Sequence, residues 1–163
     1  MSNAVGEAGR PEGATLSIIR GGLLIVLLVG LVGVLGELLL LEHVEDPWQR
    51  VPVFLLVAAL IIVTWHGFDR GPLSIRVLQG TMILFVLAGA VGLLLHLKGN
   101  MEFELEMKPA MGGWTLLRES LMGATPALAP GTMVQLGLIG LVYTYRHPKL
   151  RRTGPPYSTR HDH

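Results

Sequence analysis

The side chains with chemical potential in this chain stand at the edges of apolar runs. Glu37 follows Gly33 by four residues and Gly30 by seven, which puts a carboxylate on one helical face with small residues. His43 lies just past the end of the same run, and His96 closes a later run on one face with Gly89 and Gly92. Glu37, His43 and His96, with Gln135 entering from the same side, form a candidate outer site. A carboxylate and two imidazoles suit a divalent metal or a proton. The competing reading is that these groups reach headgroup water or satisfy one another, as side chains near helix ends commonly do.

Other constellations carry less. His43 and His96 on one side, with His66 and His147 on the other, have the pairing two bis-histidine haems would need, but all four stand at helix ends where a haem is poorly buried. Met101, Met107 and Met111 beside His96 offer thioethers to Cu(I), although methionine is also an ordinary gap-filler. No zinc-protease, nucleophile-elbow or nucleotide-binding pattern occurs, and Ser17, Ser74 and Ser120 have no base nearby in sequence. The chain reads as non-enzymatic.

These residues need elements to hold them. Half of the 163 residues are hydrophobic and 15% are charged, against about 25% charged in a soluble domain. Cysteine is absent, which excludes disulfides, thiolate metal sites and a thiol nucleophile. A net charge of +1 gives no basis for nucleic-acid binding.

Four apolar runs remain: about 16–41, 48–66, 73–97 and 127–146. A helix needs roughly 20 residues to cross a hydrocarbon core of about 30 Å. Leu38–Leu41 followed by Glu42 and His43 offers no small-residue cleavage site, so the first run reads as a span rather than a signal peptide. The expected fold is an all-α integral membrane protein with four transmembrane helices in an antiparallel bundle, covering 15–147. Residues 1–14 and the basic tail 148–163 read as flexible.

Nine Lys and Arg residues fall on the side of the termini and four on the other. Both termini are therefore expected in the cytoplasm, and the composition fits a bacterial inner membrane.

The outer loop, 98–126, is too long for a turn. Met101, Phe103, Leu105 and Met107 alternate with Glu102, Glu104 and Glu106, the pattern of a half-buried strand. Trp114, Leu117 and Leu121 recur at helical spacing, as on a short amphipathic helix in the outer interface. The expected function is that of an accessory or scaffold subunit, without a cofactor. It would meet a membrane-protein partner or a second copy through Met101, Phe103, Leu105, Met107 and Trp114. The alternative is a redox or metal-handling protein using Glu37, His43 and His96, with haem or a divalent metal. Transport rests on Glu37 alone and ranks last.

Overall fold

A computed structural model describes residues 9–42, 47–123 and 130–150. Every regular element among them is helical: α1 (Gly9–Leu40), α2 (Pro47–Phe68), α3 (Pro72–Met107), α4 (Gly113–Leu121) and α5 (Gly131–Thr144), followed by a 3-10 turn at Pro148–Leu150. Three helices are long and apolar enough to cross a membrane: Gly13–Leu40, Pro47–Phe68 and Pro72–Met107. The apolar helix α5 is shorter, with 14 residues spanning about 21 Å. The helix α1 begins at Gly9, inside the segment that composition reads as loose.

The helices α1 and α3 each pack against α2 and α5, with the most extensive contact between α3 and α5. Their shared core holds Leu27 and Leu31 from α1, Leu56, Ala59 and Val63 from α2, Leu78, Met82 and Phe85 from α3, and Met133 and Leu136 from α5. Two glycines set the α3–α5 approach. A Cβ at Gly89 would stand 2.9 Å from both the Pro130 carbonyl oxygen and the Val134 nitrogen, and one at Gly137 would stand 2.8 Å from the Met82 oxygen. Backbone lies against backbone there, the contact that small residues permit between apolar helices.

The expected strand at 101–107 is not formed. This segment is the last two turns of α3, and the alternation that reads as a strand gives way for three local reasons. Glu, Leu and Met are strong helix formers, and nothing between Asn100 and Lys108 interrupts the ladder. Lys98 and Glu102 pair across one turn at 3.4 Å. The first breaker is Pro109, and the helix stops at the residue before it, Lys108, at φ −140° and ψ 79°. Helical geometry scatters the four apolar side chains around the axis. Met101 is half-buried, whereas Phe103, Leu105 and Met107 are exposed.

The short amphipathic helix exists as α4, but it packs back along this extension of α3. Leu116 and Ser120 are its buried residues. Trp114 and Leu121, from the expected apolar stripe, are exposed and Leu117 is half-buried.

Candidate functional site

At the outer end, the expected Glu/His site is only partly described. His43 lies outside the described residues. His96 is half-buried on α3, and Gln135 is exposed on α5. Glu37 is exposed and does not share the α1 face that carries buried Leu27 and Leu31. It stands one turn from the end of α1, close enough to reach headgroup water. Among the described residues no three His, Asp or Glu side chains converge as metal ligands.

The hairpin of α3 and α4 has its own polar lock. Asn100 is 4% exposed and donates Nδ2–H to the Ser120 carbonyl at 2.8 Å. That carbonyl belongs to the last turn of α4, where backbone acceptors lack intrahelical donors. A Cβ at Gly123 would stand 3.1 Å from the Asn100 amide, so the chain leaving α4 is pressed against this same side chain.

The opposite end of the molecule holds the most connected buried polar group, and sequence reasoning did not assemble it. His66, in the last turn of α2, is 1% exposed. Its Nδ1 lies 2.8 Å from Ser74 Oγ, in the first turn of α3, and its Nε2 lies 2.7 Å from Tyr143 Oη, in the last turn of α5. The Ser74 hydroxyl itself donates to the carbonyls of Asp69 and Gly71.

Carbonyls only accept, so the far end fixes the polarity of the chain. Ser74 spends its single proton on the backbone, and its lone pair accepts Nδ1–H of His66. Nε2 is then an acceptor and Tyr143 O–H donates to it. This chain of bonds holds His66 as the Nδ1–H tautomer, with its one ring lone pair, on Nε2, taken up by the Tyr143 hydroxyl. Ser74 does not give its proton to the imidazole, so it is not an activated nucleophile of the serine–histidine kind.

Around this chain, His147 completes an aromatic cluster, its ring 6.3 Å from His66 and 5.8 Å from Tyr143. Burial holds the His147 imidazole below its ordinary value of 6.5, and the positive charges of Arg20 and Lys149 and the nearby His66 lower it further. The Asp69 carboxylate accepts the Gly71 N–H at 3.0 Å and shapes the turn between α2 and α3.

On α1, Arg20 donates Nη2–H to the carbonyls of Tyr145 and Arg146 at 3.4 Å. It meets the acceptors left at the C-terminus of α5, where a cation is favoured. The apolar helices α1, α2, α3 and α5 are therefore all tied at this end, α2, α3 and α5 through the His66 imidazole and α1 through Arg20.

Comparison of the chain with protein-family models, with characterised proteins and with solved structures finds no match.

Proposed function

We propose that the chain is a four-span membrane scaffold, with α5 as its fourth span and both termini cytoplasmic, that presents the α3–α4 hairpin to a membrane-protein partner on the outer side. One observation carries the reading: α3 outruns the bilayer. Its 36 residues extend about 54 Å, against a hydrocarbon core of about 30 Å. The apolar run ends at Leu97, so the stretch to Met107 projects about 15 Å further.

The headgroup layers add about 5–7 Å on each side of the core. Trp114 follows the turn at the far end of α3 and is 74% exposed. Phe103 and Met107, one helical turn apart, are 50% and 67% exposed. An upright α3 carries Met107 and Trp114 beyond the lipid, where large apolar side chains favour a protein surface. Glu102 and Glu106 flank them, so a partner with basic groups at the rim of an apolar pocket is the best match. Docking is through a helical hairpin; strand addition, which needs an extended edge, has no basis in this geometry.

The test is site-specific photocrosslinking in native membranes, with the probe at Trp114 or at lipid-facing Val57. A discrete adduct from position 114 alone is expected. A chain that yields no adduct at 114 and purifies as a lone monomer overturns the proposal. The missing cysteines make sidedness measurable by single-cysteine labelling at Leu105 and His163, which are expected on opposite faces.

A further inference from the structure

Two features meet along the seam of α1 and α5. The first is cationic. Arg20 reaches across the seam to the carbonyls of Tyr145 and Arg146. The Arg146 guanidinium lies over the Tyr145 ring at 5.4 Å. Arg70 and Lys149 belong to the same end of the molecule, since their charges act on Tyr143 and His147 there. Among the described residues, the ion pairs are Lys98–Glu102 and Arg118–Glu119; Asp69, the carboxylate described at this end, turns an oxygen to the Gly71 N–H and is one negative charge against four cations. Arg20 uses one nitrogen on the two carbonyls, and a guanidinium has five N–H donors.

The second feature is an open groove of about 420 Å³ in the same seam, lined by Ile25, Val29, Gly30 and Val34 from α1 and by Gln135 and Ile139 from α5. From Ile25 to Val34 the groove rises about 13 Å, close to the depth of one leaflet at about 15 Å. It begins about 7 Å above Arg20, the room a glycerol backbone takes between phosphate and acyl chain.

We propose that the α1–α5 seam binds one anionic phospholipid of the adjoining leaflet, with its phosphate on Arg20 and Arg146 and one acyl chain in the groove. Charge selects this occupant. A choline headgroup would bring a cation to a cationic site. A second copy of the chain on a two-fold axis would set Arg20 and Arg146 against their own counterparts, since such an interface uses the same patch twice. An anionic lipid alone satisfies both the groove and the charge. The site is independent of the outer hairpin and stands whether or not the hairpin has a partner.

Competition by native mass spectrometry tests this on the full-length chain in mild detergent, with dioleoyl phosphatidylglycerol and dioleoyl phosphatidylcholine in equal amounts. The wild type is expected to retain the anionic lipid at least about tenfold better, and the double variant Arg20→Ala/Arg146→Ala to fall to near parity. Each basic side chain near a membrane surface contributes roughly a fivefold preference.

Val29 is 67% exposed, so Val29→Trp fills the groove without entering the core. It should lower retention of phosphatidylglycerol at unchanged charge, and it serves if the arginine variant does not fold. Arg118→Ala, at the other end, should change nothing. Equal retention of the two lipids by the wild type overturns the proposal, as does full retention by Val29→Trp. Displacement of the lipid by millimolar inorganic phosphate would mark a site for soluble anions and overturns it too.

Discussion

Replacing Tyr143 by phenylalanine removes one oxygen and leaves the ring. Tyr143 is 6% exposed and His66 is 1% exposed, so water cannot take the place of the hydroxyl without opening the cluster. The variant loses the 2.7 Å bond and strands Nε2 of a neutral imidazole as a buried acceptor. An unsatisfied buried group costs about 1–3 kcal/mol. Hydrogen bonds between membrane helices average only about 0.6 kcal/mol and reach about 1.7, because the unfolded chain in the membrane finds other partners. The two bounds overlap near 1–2 kcal/mol, which is the expected loss.

For a chain of this size such a loss lowers the thermal midpoint by about 2–8 °C, measurable by circular dichroism in detergent. The chain of bonds adds a sharper test. Ser74→Ala removes the acceptor of Nδ1–H at the other side of the same ring, so the double variant should lose less than the sum of the singles. Additive losses, or a Tyr143→Phe variant as stable as the wild type, would refute the polarised chain.

Gly89→Ala should destabilise by several kcal/mol, because its methyl meets α5 backbone and overpacking costs about 1–3 kcal/mol even where side chains can move; Gly33→Ala, which meets nothing, should leave the unfolding midpoint unchanged or raised. Asn100→Leu breaks the tie to the Ser120 carbonyl and should expose the hairpin to limited proteolysis between residues 108 and 123 while leaving total helicity nearly intact. For His147 the folded state disfavours the proton relative to the unfolded chain, so the unfolded state binds more protons once pH falls below about 6.5. Its contribution to stability is complete above that pH and is lost as pH drops toward the depressed folded value. Thermal midpoints between pH 7.5 and 5 should therefore fall, and fall less in His147→Gln.

The long apolar helices could be read from sequence because crossing lipid would impose a length: runs ending at about 41, 66 and 97 leave few other structures for the backbone. The outer segment could not, because two signals conflict there. Alternation of Met101, Phe103, Leu105 and Met107 speaks for period two, whereas the helix propensity of the same residues and the placement of Pro109 speak for continuing α3. A helix already formed up to Asn100 needs no new nucleus to propagate, which tips the balance toward helix.

On α4 the large apolar residues Trp114 and Leu121 are exposed, while Leu116 and Ser120 face α3, where Asn100 takes the Ser120 carbonyl; which side of a short helix packs on its neighbour depends on that neighbour, which spacing alone does not give. At the other end, the sidedness of His66 and His147 and the position of Tyr143 near a helix end were visible. Their convergence was not, since it joins residues 77 apart in sequence.

The distribution of polar groups also bears on what the bundle can do. Ser74 and Asn100, on one helix, mark the two polar ends, 26 residues or about 39 Å apart. Between them the buried positions of α3 are Ile75, Leu78, Thr81, Met82, Phe85 and Gly89, and Thr81 gives its hydroxyl proton to the Val77 carbonyl of its own helix at 2.9 Å. The facing core residues Leu27, Leu31, Leu56 and Ala59 are fully buried and apolar. Among the described residues, a proton or ion moving inward from His66 and Tyr143 would therefore meet no further buried titratable side chain in this core, and burying a charge without a partner is costly. The hydrogen bonds of His66 thus act locally, fixing where α2, α3 and α5 meet. The apolar middle carries that alignment as packed side chains along α3 toward Asn100.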